Sequence, residues 1–300
     1  MIDNLLLFFQ APPLALQVLI DGILVGAILA IPAYGMALVW GVMNVINVAQ
    51  GELVVMGGFV TLVLFDLGLN PLWSIPAAAV VMYVVGWLLY RLVIFRVVDR
   101  DLFISILATF GISILLQQLL NQVFGADIQT ADPKLDSWTF FGDTITVAQI
   151  KVISFALVIV LGVLLIAFLK RSKLGRAIRA TAQNARAARI MGVDTDKVYA
   201  STFALNSAIC GAAGALVVMT WIIHPFLGIL YTVRSFLIVV VAGLGSMGGV
   251  VVSALGLGAL ENYAGFILGA EFQVAFVYLL MVVILILRNL YLRRQRKYLA

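Results

Sequence analysis

Of 300 residues, 64% are hydrophobic and only 11% charged, which excludes an ordinary soluble domain, where about a quarter of residues carry charge. With a mean hydropathy of +1.14 and several apolar runs near the ~18–20 residues that cross a bilayer, the chain reads as an all-α polytopic membrane protein. The runs are apolar on every side, unlike barrel strands, which alternate, and the net charge of +5 is better explained by membrane topology than by nucleic acid, which is not expected as a partner.

The amino end, Met1-Ile2-Asp3, places no basic residue before the first apolar run and does not read as a cleaved signal peptide. Apolar segments then cover residues 14–42, 53–65, 72–94, 102–124, 150–169, 199–221, 236–244, 250–268 and 272–287. Pro32 should kink the first. Segments 53–65 and 236–244 are too short to cross at about 1.5 Å per residue. Each adjoins a polar or glycine-rich break, residues 44–51 and 243–249. Eight or nine segments remain open, with short, Gly-interrupted or re-entrant helices expected in both halves. Such interruptions point to a binding region at mid-membrane. Cys210, the single cysteine, reads as a packed thiol.

Basic residues mark the cytoplasmic side of membrane proteins. Sixteen of the 19 lie in three places: Arg91, Arg96 and Arg100; residues 170–197; and Arg288, Arg293, Arg294, Arg296 and Lys297. The stretch 125–146 carries Asp127, Asp132, Asp136 and Asp143 against Lys134 alone, which suits the outer face. Counting crossings puts the amino terminus outside and the carboxyl terminus in the cytoplasm.

The sharpest chemical signal is residues 41–52, where Asn44, Asn47, Gln50 and Glu52 fall between apolar helices. Unsatisfied polar groups there cost several kcal/mol, on the order of a lost hydrogen bond or more. On a helix, Asn47 and Gln50 would share a face with Asn44 a turn earlier. Glu52 would start the next helix, whose positive dipole end favours a carboxylate. Two readings stay open: a capped turn that closes a helix pair, or a pathway and gate element. Asp21 and Glu261 are costly carboxylates inside apolar runs and are further pathway candidates. His224 has no Cys or carboxylate at ligand spacing, so no metal is expected.

Residues 170–198 hold eight basic and two acidic residues, more net charge than the whole chain. Their alanine-rich middle, between Gly175 and Gly192, predicts a short helix outside the bilayer that offers a basic surface to a partner. The whole chain, 1–300, reads as one transmembrane domain with this segment inserted between two helices.

Three stretches resemble a known family. Asn44-Val45-Ile46-Asn47-Val48-Ala49-Gln50-Gly51-Glu52, followed by Met56-Gly57-Gly58, is similar to the Asn–Ala–His/Gln–Gly plus Met–Gly–Ala/Gly signature of Liv-type permeases. These are the membrane subunits of bacterial ABC importers for branched-chain amino acids. Gly175-Arg176-Ala177-Ile178-Arg179-Ala180 and Ala187-Ala188-Arg189-Ile190-Met191-Gly192 resemble the segment by which that family docks on its ATPase. Ala242-Gly243-Leu244-Gly245-Ser246-Met247-Gly248-Gly249 resembles its Gly-rich break. Importer coupling loops commonly carry Glu-Ala-Ala five residues before the glycine; here the acidic position is Arg186.

The resemblance implies coupling roles for Gly175, Arg176, Arg179, Arg186, Ala187, Ala188 and Gly192, with the two alanines small enough to seat in a groove. It implies a second permease subunit, homologous or identical, two cytoplasmic ATP-binding subunits, an extracytoplasmic solute-binding protein, and a bacterial cytoplasmic membrane. No Gly-x-x-x-x-Gly-Lys-Ser/Thr occurs, so ATP would be bound by a separate subunit, with no cofactor or enzymatic activity here. The substrate would be a branched-chain or related small neutral amino acid; the alternatives are urea or short amides, a stand-alone carrier or channel, and a membrane scaffold.

Overall fold

The computed structural model describes residues 12–140, 145–243 and 246–297. Leu244 and Gly245 of the Gly-rich stretch, and Asp143, lie outside them. The helices are α1 (Pro12–Met43), α2 (Gln50–Asp66), α3 (Pro71–Leu92), α4 (Leu102–Phe124), α5 (Gln149–Arg171), α6 (Lys173–Gln183), α7 (Ala185–Ile190), α8 (Thr195–Thr220), α9 (Gly228–Ala242), α10 (Met247–Leu268) and α11 (Ala270–Lys297). Eight helical spans among the described residues are long and apolar enough to cross a membrane. Helices are the form a chain this apolar must take, because each satisfies its own backbone in hydrocarbon.

Of the two short segments, one stays short and the other is part of a longer span. The run at 53–65 is α2, 17 residues long and about 25 Å at about 1.5 Å per residue. It is buried in the protein, where a helix need not match the bilayer. The run at 236–244 is a piece of a longer span, Pro225–Ala242, which opens with a 3-10 turn at Pro225–Leu227. Thr232 and Arg234 interrupt its apolar pattern and hid its first half. Helix α1 passes through Pro32 unbroken. One element was unexpected: strands β1 (Ser137–Phe140) and β2 (Ile145–Ala148) pair antiparallel, Phe140 opposite Ile145. Thr146 anchors this hairpin to α1, exchanging two hydrogen bonds with the Gln17 side chain at 2.7 and 3.0 Å.

The core forms around α8, whose membrane-crossing stretch is almost wholly buried, while that of α11 is scarcely buried, as a lipid-facing helix should be. Helix α8 packs on α1, α2 and α3 through its small residues. A Cβ on Gly214 would lie 2.0 Å from the Val54 carbonyl oxygen, and one on Gly57 would lie 2.6 Å from the Gly211 Cα. Small residues buy no hydrophobic gain in lipid, but they let backbones approach and dispersion accumulate. Helices α1 and α10 cross in the same manner. A Cβ on Gly258 would sit 2.3 Å from the Gly22 carbonyl oxygen, whereas one on Gly256, a half-turn away, would meet nothing within 4 Å.

That contrast is testable within one helix. Gly258→Ala should destabilise the detergent-solubilised protein by about 1–3 kcal/mol through overpacking. Gly256→Ala should be neutral or stabilising by up to about 1 kcal/mol, since alanine is the better helix former. Thermal unfolding of both variants beside the parent checks the pair; equal midpoints would mean that α1 and α10 do not cross at this site.

Candidate functional site

The break after α1 builds the first part of the site. Asn44 ends α1: its φ is +50°, a conformation asparagine tolerates better than most residues. It is exposed on a cavity of about 310 Å³ shared with Asp99, Arg100, Asn184 and Tyr199. Asn44 therefore stands apart from Asn47 and Gln50, contrary to the shared helical face the spacing suggested, because residues 44–47 are not helical. The chain then turns back into the protein, and Gln50 opens α2 beside the midpoint of α8.

Gln50 and Asn47 are fully buried and bonded to each other, Asn47 Nδ2 donating to Gln50 Oε1 at 3.1 Å. The Gln50 amide nitrogen lies 2.8 Å from the Pro32 carbonyl oxygen, 2.9 Å from Asn206 Oδ1 and 3.1 Å from the Cys210 sulfur. Two threonines from other helices satisfy the backbone of the return. Thr109 Oγ1 accepts from the Val48 N–H at 3.1 Å. Thr232 Oγ1 accepts from the Gly51 N–H at 2.8 Å and donates to the Val48 carbonyl at 2.9 Å. These contacts join α1, α2, α4, α8 and α9 at one depth.

Glu52 sits in the first turn of α2, buried, with Ser113 of α4 donating to Oε1 at 3.4 Å. Among the described residues, Oε2 has no protein partner. The first turn of α9 comes against it: a Cβ on Gly228 would lie 2.2 Å from Glu52 Oε1, and one on Gly51 would lie 1.7 Å from the Gly228 carbonyl oxygen. The first turns of α2 and α9 thus meet at one carboxylate, and its place in the first turn of α2 favours negative charge.

The second part is a cavity of about 330 Å³ at the opposite end from the basic turns. Asp21 and Glu261 both line it, each in an ion pair: Asp21 with Lys151 at the start of α5, Glu261 with Arg234 of α9. Asn262 Nδ2 donates to the Val18 carbonyl at 2.9 Å and lies 3.4 Å from Asp21 Oδ2. Sequence reasoning named the two acids and missed both cations. The signal was present, since Lys151 and Arg234 are two of the three basic residues outside the basic clusters, and an arginine inside an apolar run needs a partner.

The third part is the basic segment. A single helix was expected; Asn184 splits it into α6 and α7 by capping the Ala187 N–H at 2.9 Å. Arg176, Arg179, Arg186 and Ala187 are exposed. Gly175 and Ala188 are buried. Gly175 allows α6 to pass the end of α5, where a Cβ would fall 2.2 Å from the Phe168 carbonyl oxygen. Gly192, at φ +84°, ends α7, with the Val193 N–H bonded to the Ala188 carbonyl. The residues not foreseen are Ile190 and Met191, 78% and 82% exposed at the tip. Arg189 ties this tip to the α3–α4 turn through Asp99, whose hydrogen bond pushes the guanidinium pKa further up. Tyr90 and Arg91 of α3 bind Asp196 at 2.8 and 2.7 Å.

If Gln50 is the hub of the mid-depth network, Gln50→Leu should cost about 1–3 kcal/mol for each buried group it orphans. Asn206→Leu should cost a similar amount, and the double variant should cost less than the sum by about 0.5–3 kcal/mol. A double-mutant cycle by thermal unfolding measures this; strict additivity would show that the two amides do not depend on each other.

Comparison with known proteins adds the family. A family model described as "Branched-chain amino acid transport system / permease component" matches residues 18–285. The high-affinity branched-chain amino acid transport system permease protein LivH of Escherichia coli (strain K12) is 28% identical over 289 residues, 90% of this chain and 92% of that protein. BraD of Pseudomonas aeruginosa, described in the same words, is 28% identical over 292 residues, 91% and 94% of the two chains. A probable branched-chain amino acid transport permease protein LivH of Methanocaldococcus jannaschii is 29% identical over 272 residues, covering 87% and 84%. No solved structure matches. Three embedded or basic elements, a converged pair of helix termini and a match that spans nearly the whole chain agree: this multi-pass membrane protein belongs to the branched-chain amino acid transport permease family.

Proposed function

We infer that the chain is the membrane subunit of an ATP-driven importer that moves branched-chain amino acids across a bacterial cytoplasmic membrane by alternating access. The observation that carries this is the family match over residues 18–285, joined to a helix break buried at mid-depth, the form of site transporters use. Asn47, Gln50 and Glu52 form the gate region, where the first turns of α2 and α9 meet and a small shear would open or close a path. Asn44 belongs to the cytoplasmic mouth.

The basic end faces the cytoplasm, with the amino terminus outside and the carboxyl terminus inside. There, α6 and α7 dock on the ATPase through Arg176, Arg179, Arg186 and Ala187, around the exposed apolar pair Ile190 and Met191. Motion imposed on this tip reaches the bundle through the Arg189–Asp99 and Arg91–Asp196 pairs. ATP is held by two separate subunits, a second permease completes the pathway, and an external binding protein delivers the solute.

In proteoliposomes holding the assembled complex and internal ATP, uptake of leucine, isoleucine or valine should persist when ion gradients are collapsed. Gradient-driven uptake by the purified chain alone would instead support a secondary carrier, and uptake of urea without leucine would change the substrate. The docking surface has its own test. Ile190→Glu with Met191→Glu should lower recovery of the ATPase with the permease at least about tenfold, some 1.4 kcal/mol of binding, while the permease itself folds, because both side chains are exposed. Undiminished recovery would place the ATPase contact elsewhere.

A further inference from the structure

The cavity between α1, α5, α9 and α10 has a charge pattern that calls for one class of ligand. It holds two cations and two anions, so it is neutral as a whole and strongly dipolar locally. A ligand with one net charge would displace an ion pair and leave one charge without a counterpart, which is costly away from water. A neutral amide or sugar would leave both members of a broken pair undercompensated. A zwitterion replaces each lost contact with one of the same sign and type.

The geometry suits the exchange. Arg234 grips Glu261 with two nitrogens, Nε donating to Oε2 at 3.2 Å and Nη2 donating to Oε1. This fork matches any carboxylate, so it can pass from Glu261 to a ligand carboxylate unchanged, freeing Glu261 for an ammonium group. In an α-amino acid the two charged groups are separated by one carbon, with about 2.5 Å from nitrogen to carboxyl carbon. The Glu261 side chain is 2% exposed and that of Arg234 17%, so both act where water screens little. Val25, Leu29 and Leu230 supply an aliphatic wall beside the charges. At about 330 Å³, the cavity lies at the small end of the roughly 300–1,000 Å³ range of ligand sites.

A purely structural role explains less. Buried ion pairs seldom stabilise a fold more than apolar residues of equal volume would, so the Arg234–Glu261 pair is an expensive way to hold helices together. We propose that this cavity binds the free zwitterionic α-amino acid during translocation, with Arg234 and Lys151 receiving the carboxylate and Glu261 and Asp21 the ammonium group. The proposal rests on the permease reading and names the substrate chemistry of that pathway.

The test uses the permease–ATPase complex in detergent without the binding protein, and the whole importer in proteoliposomes. Millimolar L-leucine should raise the thermal midpoint of the wild-type complex by ligand linkage. The one-charge analogues 4-methylpentanoate and 3-methylbutylamine should not. Arg234→Met with Glu261→Leu removes the pair while keeping the volume apolar. It should assemble at wild-type yield, lose the leucine shift and take up leucine at least tenfold more slowly. Absence of a leucine shift in the wild type, equal shifts with either analogue, or wild-type uptake by the double variant would each overturn the site. If the double variant fails to assemble, Arg234→Lys decides: a binding fork loses the leucine shift while the complex stays assembled, and an unaltered shift counts against the proposal. A wild-type importer that moves no amino acid defeats the permease reading itself, a distinct result.

Discussion

A backbone that leaves its helix inside a bilayer must find a partner for every amide and carbonyl it exposes, and the break between α1 and α2 draws on neighbouring helices for them. The partners are the hydroxyls of Thr109 and Thr232. Each comes from a different helix, so the break depends on α4 and α9 lying alongside it. The polar return is thus a consequence of the bundle and also a joint within it. Buried polar groups with a full set of partners specify one arrangement. Among the described residues, Asn47 Oδ1, Glu52 Oε2 and Asn206 Nδ2 have no partner within the protein.

The two ends of the bundle solve different electrostatic problems. At the basic end the charges are exposed and pair loosely, as Arg189 with Asp99 and Arg91 with Asp196, both partly solvated. Such pairs contribute about 0–1 kcal/mol each, too little to hold a fold; one links α7 to the α3–α4 turn and the other links α3 to the start of α8. At the other end the charges sit deeper and must be matched one for one. The first arrangement suits a surface that must bind and release a partner. The second suits a cavity that discriminates by charge distribution.

Much of this was legible because the relevant physics is local. Hydropathy located the crossings, and the basic asymmetry separated the two ends. Gly192 ended α7 in the left-handed conformation that the alanine-rich run before it suggested. The signature around Asn47 and Gln50 marked the break. What stayed hidden depends on distant helices. Thr109 and Thr232 look like ordinary helix threonines until their partners 61 and 184 residues away are known. Arg234 shortened an apparent span because its cost was counted without Glu261, 27 residues on. Ala188 looked like a docking residue because its small size was legible and its direction was not; burial turned it inward and left Ile190 and Met191 outside.

The placement of α9 links these observations. Its first turn meets Glu52 and the Gly51 amide, and two residues after Thr232 it delivers Arg234 to the dipolar cavity. One rigid helix therefore touches both the mid-depth joint and the charged cavity, with the Gly228–Glu52 contact at one end and the Trp40–Phe236 stack, 5.4 Å between ring centroids, beyond. A shift of α9 large enough to part it from α2 must also move the Arg234 fork relative to Glu261, because both sit on the same stiff backbone. Coupling of this kind needs no wire of side chains: it needs only that two sites share an element with two stable positions.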